Sequence, residues 1–109
     1  MRLVAIESPY AGDVERNERY ARAALAHSLS LGEAPFASHL LYTQPGVLKD
    51  DVPEEREQGI DAGLEWAVRA DARVVYYDLG VSEGMAAGVL HAVEHNQPVE
   101  FRRLPGWAG

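Results

Sequence analysis

Residues 72–79, Ala-Arg-Val-Val-Tyr-Tyr-Asp-Leu, are β-branched and aromatic in the middle and polar at the end, the pattern of a strand that runs into a loop. Stretches of helical period flank this strand on both sides. Upstream, Pro53 suits a first helical turn, Glu54, Glu55 and Glu57 favour the positive end of its dipole, and Ile60, Leu64, Ala67 and Val68 make an apolar stripe. Downstream, Gly80 to Gly84 make a turn, and Ser82 is placed to cap a helix through Met85, Val89 and Ala92 to about Asn96. Pro98 then introduces a strand over Val99 to Leu104, and the tail 105–109 is either loose or docked by Trp107.

The first half repeats the alternation. Arg2 to Glu7 reads as a buried strand that breaks at Ser8-Pro9-Tyr10-Ala11-Gly12-Asp13, a cluster of turn formers. Asp13 is the expected N-cap of a helix from Val14 to about Leu31, with Ala21, Ala24, Leu25 and Ser28 on one face and Gly32 as its stop. Ala34 to Ser38 is a further strand candidate, and Tyr42 to Val52 has no period. Loops of that length inside small domains are often functional. Strands alternating with helices imply an α/β fold, a small Rossmann-like or flavodoxin-like three-layer sandwich around a mostly parallel sheet of four to five strands. Such sheets bind ligands in the crevice at the carboxyl ends of their central strands, here between the loops 8–13 and 78–84.

At 109 residues, 47% hydrophobic and 25% charged, the sequence is expected to form one domain over residues 1–109. It has no cysteine, which excludes disulfides, a thiolate nucleophile, iron–sulfur clusters and cysteine-ligated zinc. No apolar stretch reaches bilayer length, so a cytoplasmic protein without membrane partners is expected. Ten Lys plus Arg against seventeen Asp plus Glu give a net charge of −7. Such a surface repels a nucleic-acid polymer, and Arg102-Arg103 is the one local basic patch. A single nucleoside or nucleotide remains compatible, because a few backbone N–H groups can hold a small anion.

The first loop offers the Ser8 hydroxyl, the Tyr10 ring, Gly12 for close backbone approach and the helix start at Asp13, which together suit a small ligand but equally suit an ordinary strand-to-helix turn. Neither a Walker pattern nor a Gly-x-Gly-x-x-Gly fingerprint occurs, and no cofactor is expected. Asp78 and Glu83 place two carboxylates beside the crevice, as glycosidic-bond chemistry requires, although a turn Asp and a dipole-complementing Glu explain them as well. Ser38, His39 and Gln44 could read a base edge or a sugar hydroxyl. His27, His91 and His95 read as structural, since the four-residue spacing of the last two lacks a supporting metal motif. Trp66 and Tyr76-Tyr77 read as core or interface aromatics.

Ser8-Pro9-Tyr10 with Gly12-Asp13 and Asn17, Ser38-His39, Gln44, Glu55-Arg56, Trp66, Ala70-Asp71 and Ser82-x-Gly84-Met85 together resemble the nucleoside 2-deoxyribosyltransferase-like family, in particular small, phage-type members. The resemblance spans nearly the whole chain and rests on the order and spacing of these residues. It implies transfer or hydrolysis at the N-glycosidic bond of a deoxynucleoside or deoxynucleotide, with Tyr10 near the sugar, Asp78 as an assisting acid, and Ser82, Gly84 and Met85 at the helix entry. The family's nucleophilic Glu would fall at position 88, where this chain has Gly88. Glu83 lies about one and a half helical turns away and cannot stand in for it. Glu7, near the end of the first strand, is another candidate acid. The sequence therefore leaves open an enzyme using Asp78, Glu83, Tyr10 or Glu7, a catalytically silent nucleotide-binding or sensing module, and a purely structural protein. A homodimer or higher homo-oligomer is expected from the small size and from the family's habit of building sites across subunits, with Trp66, Tyr76 or Trp107 at the interface.

Overall fold

The computed structural model describes residues 1–108 and forms four parallel strands in the order β2-β1-β3-β4. They are β1 (Leu3–Glu7), β2 (Ala34–Phe36), β3 (Ala72–Tyr76) and β4 (Val99–Arg102), connected through helices α1 (Val14–Ser30), α2 (Pro53–Ala67) and α3 (Glu83–Glu94). The α/β fold expected from the alternating pattern is the one observed. Three strands stop earlier than their sequence signals, at Phe36, Tyr76 and Arg102. A single 3-10 turn at Ser38–Leu40 follows β2 and begins the aperiodic segment.

The pleat sorts the sheet into two faces. Val4, Ile6, Ala72, Val74 and Tyr76 pack with Tyr20 and Ala24 of α1 and with Leu104 into an apolar core. The alternate residues Ala5, Glu7, Arg73 and Val75 point to the opposite face. There the Arg73 guanidinium reaches the Gly88 carbonyl of α3, and Ala5 and Glu7 share a cavity with α2.

The α1 side is closed by the tail. Asp78 Oδ2 accepts from the Tyr20 hydroxyl at 2.6 Å and from the Leu104 N–H at 2.8 Å, while the Trp107 ring lies edge-on to Tyr20 at 4.9 Å. Of the two states expected for the tail, the docked one occurs. At the sheet edge Glu33 accepts from Arg102, Arg2 and Ser28, and the Arg102 hydrogen bond leads in holding its carboxyl down at about 2.

The aromatics divide between the two placements expected for them: Trp66 is 59% exposed, while Tyr76 is fully buried, its hydroxyl 2.8 Å from His27 Nδ1, and belongs to the core, so its expected place at an interface is corrected. Along the apolar stripe of α2, Ala67 is buried and Ile60 is 52% exposed beside a cavity. No helix among the described residues is long and apolar enough to cross a membrane.

Candidate active site

The carboxyl ends of β1 and β2, the 3-10 turn, α2 and the start of α3 enclose a cavity of about 490 Å³, a size typical of small-molecule sites. Its floor is the end of β1, where Glu7 and Ser8 leave the sheet. Asn17, buried in α1, donates from Nδ2 to the carbonyls of Tyr10 (2.8 Å) and Ala11 (3.1 Å), which fixes the first loop over the cavity. Gly12, at φ +99°, turns that loop into α1, and Asp13 caps the helix by accepting from the Arg16 N–H at 3.1 Å. Gly12 and Asp13 thus shape the loop from outside the cavity lining.

One wall pairs Ser8 with His39. Ser8 Oγ lies 3.2 Å from His39 Nε2, and the His39 ring tilts against Tyr10 with centroids 5.3 Å apart. Burial pushes His39 down to about 4, so the ring is neutral at physiological pH. Burial also raises the Tyr10 phenol above its ordinary value. Ser38 sits beneath α2, and a Cβ on Gly63 would lie 2.7 Å from Ser38 Cβ; only glycine lets the helix come this close.

The opposite wall is α3. Ser82 Oγ accepts from the Met85 N–H at 3.2 Å, and Met85 Sδ accepts from the Ser82 N–H at 3.4 Å, forming a reciprocal cap at the cavity's edge. Ser82, Glu83, Gly84, Met85 and Gly88 all line the cavity.

The decisive geometry lies between β1 and α3. A Cβ built on Gly88 would touch Glu7 Oε2 and stand 2.5 Å from Glu7 Cδ and 2.6 Å from Oε1. The carboxylate of Glu7 therefore fills the space into which a side chain at 88 would grow. Arg73 holds it there: one terminal nitrogen donates both to Glu7 Oε2 at 3.1 Å and to the Gly88 carbonyl at 2.6 Å, and the other lies 3.1 Å from His91 Nδ1. The Glu7 side chain is 19% exposed. Burial, only partly opposed by Arg73, pushes its carboxyl up to about 7.

Of the residues singled out in the sequence, the fold gathers Glu7, Ser8, Tyr10, Ser38, His39, Ser82, Glu83, Gly84 and Met85 around one cavity. Asp78 and Gln44 are outside its lining: the Asp78 carboxylate is engaged by Tyr20 and Leu104, and Gln44 donates to the carbonyls of Leu40 and Leu41. His91 and His95 stack at 4.3 Å, and no metal-binding group of three or more His, Cys, Asp or Glu occurs among the described residues. Sequence reasoning missed Arg73 and Gly63. Arg73 had a signal, being a lone cation in an apolar strand of a sheet expected to be covered on both faces.

No curated protein matches the chain. Among solved structures it is similar to a 2-deoxyribosyltransferase from the psychrotolerant bacterium Bacillus psychrosaccharolyticus, with a TM-score of 0.73, 18% identity, and coverage of 98% of this chain and 76% of that one. At that identity the likeness shows a shared fold. A family model described as a domain of unknown function, DUF7768, matches residues 2–102, and the chain belongs to that family.

Proposed function

We propose that this chain acts on the N-glycosidic bond of a nucleoside or nucleotide, by transfer of the sugar to a second base or to water, with Glu7 as the carboxylate that meets the anomeric carbon. The observation that carries this reading is the Glu7 carboxylate standing over Gly88. The fold shared with a 2-deoxyribosyltransferase supports the reaction class, and the resemblance read in the sequence implies a nucleophilic Glu at position 88. Here the helix supplies no side chain at 88 and the neighbouring strand supplies the acid.

The chemistry follows from the residues around it. Ionised Glu7 attacks the anomeric carbon as the C–N bond breaks; the departing base keeps the bonding electrons and takes a proton from an acid at the cavity wall, for which Glu83 is the candidate, and a second base or water, giving its proton back to that acid, then displaces the sugar from Glu7. With its carboxyl pushed up to about 7, Glu7 is nucleophilic only in its ionised form, the form that the Arg73 contact favours. Glu83 brings a second carboxylate to the cavity wall, Tyr10 and His39 offer ring faces, and Ser8, Ser38 and Ser82 offer hydroxyls to a sugar or base edge.

The test is incubation with each deoxynucleoside and deoxynucleoside monophosphate, with and without a second free base, followed by chromatography. Base release or exchange that Glu7→Gln lowers by about a hundredfold or more supports the reading. Absence of turnover, combined with a thermal shift from one ligand, moves the chain to a binding or sensing role.

A further inference from the structure

Arg73 is fully buried in a central strand, and its Nε has no hydrogen-bond partner. Stability alone is a poor reason for such a residue, because an apolar side chain of similar volume usually serves a core as well or better than a buried ion pair. Its terminal nitrogens reach Glu7, the Gly88 carbonyl and His91. It therefore binds the carboxylate and the backbone of the very helix residue whose missing Cβ makes room for that carboxylate.

We propose that Arg73 is the positioning residue that allows a carboxylate carried on β1 to work in the space over α3, by clamping Glu7 to the Gly88 backbone and keeping it ionisable. The inference rests on the proposed role of Glu7, and it deepens that role by naming what holds the acid in place. A Glu side chain turns about three torsions, so without a partner its carboxylate is free to sample several positions in the cavity. One guanidinium nitrogen shared between Glu7 Oε2 and the Gly88 carbonyl removes that freedom, and the second, held by His91 in the same rigid plane, fixes its angle. His91 completes the arrangement: its Nδ1 faces a guanidinium N–H and must offer a lone pair, and burial together with the Arg73 charge pushes its pKa down.

Several other titratable groups surround Glu7. From α3 come His91 and Glu83, from the 3-10 turn His39, from the first loop Tyr10, from the segment leading into α2 Lys49 and Asp50, and from α2 itself Glu55 and Arg56. Arg73 is in direct contact with the Glu7 carboxylate, so it is the group expected to dominate its coupling.

The experiment reads the pair directly and then through turnover. In wild-type protein, the Arg73 guanidinium N–H resonances and the Glu7 side-chain carboxyl carbon are followed by NMR across pH 4 to 9. The two signals should move with one shared midpoint, and Glu7→Gln should abolish the Arg73 response. In Arg73→Met the Glu7 midpoint should rise by roughly one pH unit or more, since a neighbouring cation no longer favours the carboxylate. In Arg73→Lys the midpoint should return towards wild type while kcat, on any substrate found active, stays at least tenfold down because an ammonium has no second nitrogen to hold against His91. An Arg73 signal that ignores pH, or one that still titrates in Glu7→Gln, overturns the proposal even if Arg73→Met fails to fold. If the pair titrates as one but no substrate turns over, the clamp stands and the enzymatic reading fails, which separates the two.

Discussion

Glu7 and Gly88 share a single volume: the carboxylate carried by β1 sits where the side chain of the α3 residue would begin, 2.5 Å from Glu7 Cδ to the Cβ that glycine lacks. Two residues 81 positions apart in the sequence thus act as one position in space, one contributing the group and the other the room for it.

Moving the carboxylate back to the helix tests this exchange. Gly88→Glu alone must displace Glu7, and it is expected to destabilise the protein by about 1–3 kcal/mol, the usual range for overpacking. Glu7→Ala alone should abolish base release. The double variant Glu7→Ala/Gly88→Glu removes the clash and returns a carboxylate to the same cavity, two bonds beyond the Cβ that takes the space of the Glu7 carboxylate, so it should fold better than Gly88→Glu and regain part of the activity. Thermal unfolding and base-release assays on the three variants check this.

The raised pKa of Glu7 carries a pH signature of its own. Its folded value near 7 lies above its ordinary 4.5, so the native state binds the extra proton between those limits. Wild-type stability therefore falls as pH rises from about 4.5 to 7 through this group and is flat above. Glu7→Gln cannot ionise, so its Tm minus that of wild type should climb across the same window and level off near neutrality. A difference that stays constant from pH 4 to 8 contradicts the assignment.

Glu33 shows the opposite sign. Hydrogen bonds led by Arg102 hold its carboxyl near 2 against an ordinary 4.5, so its contribution is complete above about 4.5 and is lost as pH falls towards 2. Glu33→Gln removes the charge that Arg102 and Arg2 share, leaving them one amide oxygen in its place beside Glu100, and should cost about 3 kcal/mol at pH 7. Denaturant unfolding of the two proteins should converge on acidification.

How much of this was legible in the sequence depends on distance along the chain. The run of residues 72–79, the caps Asp13 and Ser82 and the turn at Gly12 announce their elements locally, because period, propensity and capping act over a few residues. The crevice loops followed from the alternation of strands and helices. What sequence could not show was tertiary: the Glu7 and Gly88 exchange, the reach of Arg73 across the sheet, and Asp78 turned to the opposite side to bind Tyr20 and Leu104. Asp78 sits at a strand end in either account, and only the direction of its side chain separates a cavity acid from a tail latch.

That direction yields a further expectation. Asp78→Ala leaves the Tyr20 hydroxyl and the Leu104 N–H without their acceptor, at about 1–3 kcal/mol, which corresponds to a Tm loss of roughly 5–15 °C in a domain near this size. Turnover of the folded fraction, assayed well below that Tm, should change less than about threefold. A loss of turnover comparable to that of Glu7→Gln, with Tm preserved, would instead return Asp78 to the chemistry.

The tail latch also sets an order of assembly during synthesis. Tyr20 emerges early, but the groups that cover it, Leu104 and Trp107, are translated more than eighty residues later. The part of Tyr20 that the tail covers stays open to water throughout that interval, which makes it a surface a chaperone would meet on the nascent chain.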